Sequence, residues 1–190
     1  MKRKASVKET VVYSGFATLS IRNGHEVVRT TDSVGFLFVD PKRQLALLIR
    51  QPRTAMIRRG NLSGMIVEVP AGRRDLKISL KRLVVKEALE EAGIHIHPAQ
   101  IKILNRGAPL ALSPGILTER MYLAYAELDL GACLKGNRKV FGLKSEGERI
   151  RRRVVTFNEL ERMTFEDMKT FALVQWFLKT QSGKGSKHET

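Results

Sequence analysis

The chain has 190 residues, 43% of them hydrophobic, the size of one domain able to build a core of its own. No apolar run approaches the ~18 residues of a membrane span, the opening MKRKASVKET lacks the apolar stretch of a secretory leader, and the single cysteine, Cys133, has no internal partner for a disulfide. These features predict a cytoplasmic protein with no membrane partner, and a net charge of +15 with a pI near 10.4 directs the search to anionic partners, nucleic acid or phosphorylated small molecules.

In chain order, residues 1–9 read as a basic tail. VVYSGFATLSI (11–21) is rich in β-branched and aromatic residues and predicts a strand, with Asn23-Gly24 as the following hairpin turn. SVGFLFVD and QLALLIR are short apolar strands divided by a turn at Pro41. GMIVEVP is a further strand ended by Pro70, and AGRRDLKI a loop. Residues 79–92 have helical periodicity, with Leu80, Leu83, Val84 and Ala88 on one face. IHIHP and IKILNRG predict short strands, LALSPGILTE a loop built on Pro114-Gly115, and RMYLAYAEL an alternating strand. GLKSEGERI is a polar loop and IRRRVVTF a strand. TFEDMKTFALVQWFLKT is a helix with Phe171, Val174 and Phe177 on one side. Residues 181–190 read as a flexible tail. This order predicts one α+β domain over 10–180 with a central mixed sheet.

The segment VVKEALEEAGI is the anomaly. Gly93 stands where a C-terminal cap belongs, yet Glu87, Glu90 and Glu91 crowd the last two turns. Acids at that end oppose the helix dipole by about 0.3–1 kcal/mol each. The i,i+4 pair Glu87 and Glu91 adds roughly 0.2–0.5 kcal/mol of repulsion. A solvated acidic face ending at a glycine is the plain reading. A divalent cation held by converging carboxylate oxygens is the other.

Read in context, EVPAGRRDLKISLKRLVVKEALEEAGI resembles the signature of the Nudix hydrolases. Gly72, Glu87, Glu90, Glu91, Gly93 and Ile94 fall on the family pattern, with Ala88 at its bulky apolar position. RQPR at 50–53, EVPAG at 68–72 and SPGILTER at 113–120 resemble the ADP-ribose and nucleotide-sugar pyrophosphatases of that family. So do the terminal strand and helix, and the resemblance covers residues 10–180. It implies a Nudix fold, a mixed sheet sandwiched between helices with an N-terminal antiparallel strand subregion. It implies Mg²⁺-dependent hydrolysis (Mn²⁺ as the alternate ion) of ADP-ribose or a related nucleoside diphosphate sugar. Glu87, Glu90, Glu91 and the Ala71 carbonyl would hold metal, and Glu119 would be the general base. Arg53 would contact phosphate, and Glu68 would support the site. Homodimers through strands in 10–32 are implied as well. Two positions depart from the pattern: Ile78 stands where the family has an acid and Lys86 where it has an arginine, a pair thought to brace the helix. That departure, with the basic charge, sustains an alternative, an impaired Nudix domain that binds nucleotide or RNA.

Other motifs carry less. His95 and His97 share a face on a strand but have no third ligand nearby. ERIRRRVV reads first as a solvated edge strand and second as a contact for nucleic acid backbone. SGKGS lacks the spacing and preceding strand of a phosphate-binding loop.

Overall fold

In the computed structural model the described residues are 7–135, 139–143, 145 and 147–185. Two sheets are present. The first is a three-stranded antiparallel sheet of β1 (Glu9–Ser14), β2 (Thr18–Arg22) and β3 (His25–Arg29). The single strand expected over 11–21 is thus a hairpin. The chain reverses at Gly15–Ala17, where the Gly15 N–H donates to the Ala17 carbonyl.

The second sheet has eight strands. These are β4 (Ser33–Asp40), β5 (Leu45–Pro52), β6 (Met65–Glu68), β7 (Ala71–Arg73), β8 (Lys102–Ile103), β9 (Leu110–Ala111), β10 (Arg120–Glu127) and β11 (Arg151–Thr156). Its spine runs β11-β5-β4-β10-β8, with β6 beside β5, β7 beside β4 and β9 beside β10. Only β4 and β10 run parallel; the other pairs are antiparallel. β4 is buried along its whole length, so its alternation sorts residues between two cores. Phe36 and Phe38 face the helix α1 (Leu80–Ala92) together with Leu83, Val84, Ala88 and Ala92. Leu37 and Val39 face α3 (Phe157–Arg162) and α4 (Met168–Gly185), meeting Leu160, Leu173, Val174 and Phe177. The α+β class and the sheet between helices are therefore as expected. No helix among the described residues is long and apolar enough to cross a membrane.

Several local expectations are corrected. IHIHP forms no strand: Ile94 and Ile96 insert into the core from irregular backbone, and His97 caps a 3₁₀ turn at Pro98–Gln100. IKILNRG gives only the two-residue β8 before a second 3₁₀ turn at Asn105–Gly107. AGRRDLKI opens with β7, whose register sets Ala71 against Gly35. Two short helices were not expected, α2 (Leu130–Cys133) and α3, each opened by a side-chain cap, Asp129 and Thr156. α4 continues through Gly185, past the expected end of the domain. Phe171 is exposed, because the buried stripe of α4 runs through Thr170, Leu173, Val174 and Phe177.

Candidate active site

α1 sets the site. Ser79 caps its start by accepting from the Arg82 N–H. Its end is a left-handed turn at Gly93 (φ 63°), with Gly93 N–H donating to the Leu89 carbonyl and Ile94 N–H to that of Ala88. Leu83, Glu87 and Glu91 lie in one i,i+4 row. The row begins in the core with Leu83 and brings the two carboxylates inward under the sheet, Glu91 being only 3% exposed. These acids are not a solvated face.

They line a cleft of about 840 Å³. Glu90, Lys86, Ala71, Gly72, Arg53 and Glu119 share its wall, as do Glu148, Arg149 and Lys169. Of the seven residues proposed from the sequence as metal ligands, base or substrate contacts, Glu68 alone is not in the wall; it lies behind, 1% exposed. There its carboxylate accepts from Gln51 Nε2 (2.9 Å) and Arg53 Nε (2.7 Å) and closes a tight ion pair with Lys169 Nζ. Lys169 in turn pairs with Asp167 Oδ1 at 2.9 Å. Thr170 Oγ1 accepts from the Val69 N–H at 2.8 Å and donates to the Asp167 carboxylate. The start of α4 is thus fastened to the strand end that carries the Ala71 turn.

Gly72 has a steric reason. A Cβ there would lie 2.1 Å from Glu87 Cγ and 2.2 Å from its carboxyl carbon, so the Glu87 side chain crosses the site of the missing methyl. Glu91 Oε2 accepts from the Ala71 N–H at 2.9 Å. Burial drives the Glu91 carboxyl well above the carboxylate range; the Ala71 N–H opposes this and the charges of Glu87 and Glu148 add to it. Burial likewise raises Glu87 to about 7, with Lys86 pulling it back in part. Glu148, on the loop before β11, was not singled out from the sequence. Glycine and polar neighbours made SEGER look like any loop, and it is marked by its place in the cleft wall and its field on Glu87 and Glu91.

Lys86 does not reproduce a brace to position 78. Its Nζ lies 2.7 Å from Glu90 Oε2 and 3.2 Å from Glu87 Oε1, and Ile78 packs against the core around α1. No group of three or more His, Cys, Asp or Glu side chains stands at metal-holding geometry among the described residues. The donor chemistry nevertheless suits a hard divalent cation: largely buried, mutually repelling carboxylate oxygens beside the Ala71 backbone. His95 and His97 are exposed, and His97 Nδ1 is spent on the Ala99 N–H.

The loop that carries Glu119 is also anchored. Ser33 Oγ donates to Glu119 Oε1 (2.6 Å) and Thr30 Oγ1 to Oε2 (3.1 Å). The SPGILTE loop joins the small sheet through Val28 N–H to the Ile116 carbonyl and Thr118 N–H to the Val28 carbonyl.

A pH signature follows for the metal-free protein. Glu87 holds its proton more tightly folded than unfolded, so between the ordinary 4.5 and about 7 the native state binds more protons. Its contribution to stability is therefore present at low pH and lost as pH rises through that window. Thermal melts in chelator should show Tm falling over this range, and Glu87→Gln should flatten the fall. An unaltered slope in the variant would show that Glu87 is not the group responsible.

No family model matches the sequence. The chain is 33% identical over 109 residues to a protein of Cronobacter sakazakii named GDP-mannose pyrophosphatase, covering 57% of this chain and 54% of that one. It is 34% identical over 107 residues to the protein of that name from an Enterobacter strain, and 33% over 107 residues to that of Citrobacter koseri, each covering 56% and 53% of the two chains. The chain thus spans about half the length of the curated relatives it matches. Their shared name agrees with the resemblance to Nudix nucleotide-sugar pyrophosphatases, and so does the fold.

Proposed function

We propose that this chain is a Nudix-type pyrophosphatase that cleaves the diphosphate of a nucleoside diphosphate sugar, giving a nucleoside monophosphate and a sugar phosphate. The observation that carries this reading is that Glu87, Glu90, Glu91 and Glu148 line one cleft beside the Ala71 turn, two of the four with carboxyls raised by burial. ADP-ribose and GDP-mannose are the first two substrates to assay, the latter because the similar proteins bear its name. Glu87, Glu90, Glu91 and the Ala71 carbonyl would hold Mg²⁺ or Mn²⁺. The bound ion would neutralise the diphosphate and ease deprotonation of the attacking water. Arg53 spends one donor on Glu68 and keeps the rest of its fork for phosphate.

Glu119 and Glu148 both stand in the wall as acceptors for the proton of that water. Both oxygens of Glu119 already accept from hydroxyls, whereas among the described residues Glu148 Oε2 takes only the Leu143 N–H, and its charge reaches Glu87 and Glu91. Loss of a general base costs about 10²–10⁴-fold in kcat. In an assay of both sugars with metal and with chelator, Glu148→Gln should show that loss and Glu119→Gln a smaller one. The reverse order would return the role to Glu119. A wild-type protein that turns over neither substrate in Mg²⁺ or Mn²⁺ would favour the second reading, nucleotide binding without cleavage. Lys86 clasping Glu87 and Glu90 is the observation behind that reading.

The homodimer belongs to the same proposal. Val11, Val12, Tyr13 and Phe16 are exposed on or beside the small sheet, 53–79% each, an apolar surface suited to a second copy. Light scattering should read twice the chain mass; the mass of one chain at micromolar concentration would remove the dimer.

A further inference from the structure

β11 ends the large sheet, and its alternation separates two kinds of arginine. Arg152 turns to the α1 side and lies over the Phe141 ring at 4.6 Å. Arg151 and Arg153 turn to the α4 side, the side on which Val155 enters the core, and both are exposed. Arg149 continues this row by the same alternation, is exposed, and reaches the wall of the cleft. Arg50 is the cross-strand partner of Arg151 and is exposed beside it. Among the described residues Arg50, Arg149 and Arg151 have no ion pair, and Arg153 has only the field of Glu159.

Charged side chains on an edge strand deter sheet-to-sheet association, which explains arginines on β11. It does not explain Arg50, which lies inside the sheet with β11 on one side and β4 and β6 on the other. Like charges directly opposite across a ladder are destabilising. Arg50 opposite Arg151 is therefore a like-charge pair that a bound anion would neutralise. Successive arginines along the row are about 6.8 Å apart, twice the rise per residue of a strand. A row of planar, bidentate donors at that spacing suits the regularly spaced phosphates of a linear polyanion.

We propose that Arg50, Arg149, Arg151 and Arg153 form a track for the phosphodiester backbone of a single nucleic-acid strand, read without regard to sequence. This inference does not depend on the hydrolase reading. The test is fluorescence anisotropy of a short labelled single strand of mixed sequence, as RNA and as DNA, across a salt series. The expected result is binding of both, with log K falling linearly in log salt. Arg151→Gln/Arg153→Gln should flatten that slope by about 1.4, two contacts at about 0.7 each. Lys77→Gln/Arg82→Gln removes the same charge at the exposed start of α1 and should leave the slope unchanged. Arg50→Gln, expected to flatten the slope by about 0.7, serves if the double variant unfolds. Equal losses in the two double variants, an unchanged slope in the first, or capture of phosphatidylserine vesicles but neither strand would overturn the proposal.

Discussion

Glu91→Gln is expected to abolish metal-dependent turnover of nucleotide sugar, by about 10³-fold or more, and at the same time to raise the melting temperature of the metal-free protein. The first effect follows from removing one of the carboxylates proposed to hold the cation, whose charge stabilisation is several kcal/mol, with about 1.4 kcal/mol per tenfold in rate. The second follows from burial. Glu91 is almost sealed from solvent and has one backbone N–H as its partner, and burial drives its carboxyl well above the usual range. Above the pKa of an exposed glutamate, the folded state must either keep that proton or carry a poorly solvated charge, and both lower stability. Glutamine keeps the shape and the acceptor for the Ala71 N–H without the charge. Activity assays paired with thermal melts in chelator at neutral pH check both signs. A variant that loses activity and also melts lower would make Glu91 a structural acid. A variant that retains activity would remove it from the metal set.

Lys169→Met should cost about 3–5 kcal/mol of folding stability, toward the lower figure because Arg53 and Gln51 stay with Glu68. The lysine is 9% exposed and the glutamate 1%, so deleting one partner strands a buried charge. The sharper expectation concerns the double variant. Glu68→Met/Lys169→Met removes both charges and should recover much of the loss, since apolar replacement of a buried pair is often neutral. Arg53, 40% exposed, can turn to water. Urea midpoints at constant m measure both. A double variant no better than the single would show that the network, rather than relief of a lone charge, holds the start of α4 against the Ala71 turn.

Much of this architecture was legible because its signals are local. Strong alternation and burial-grade composition marked β4, β5 and β10, and the periodicity of 79–92 with Ser79 and Gly93 marked both ends of α1. The misses share a physical cause: tertiary packing overrode local preference. Ile94 and Ile96 are β-branched and alternate with polar residues as a strand would, but both are drawn into the core beyond α1 from irregular backbone. Phe171 looks like a core residue from its type, yet Thr170 takes the inward position because its hydroxyl satisfies the Val69 N–H. In the site, the acids of α1 were legible from their placement at the wrong end of a dipole. Glu148 was not, because what distinguishes it is proximity across more than fifty residues of chain. Lys169 was hidden for the same reason, its meaning residing in a glutamate a hundred positions away.

The Lys86 ammonium has one more consequence. It sits between Glu87 and Glu90, and those hydrogen bonds keep its pKa above the ordinary lysine value despite partial burial. Any divalent ion taken up by these acids therefore meets a tethered rival of like sign, present at constant local concentration. If the acids take the ion as proposed, the ammonium would act as a threshold: it would hold the acids together when divalent ions are scarce and shift half-saturation to higher ion concentration. It is also a compact point charge on a flexible stem, so it can swing aside without disturbing the helix that carries it.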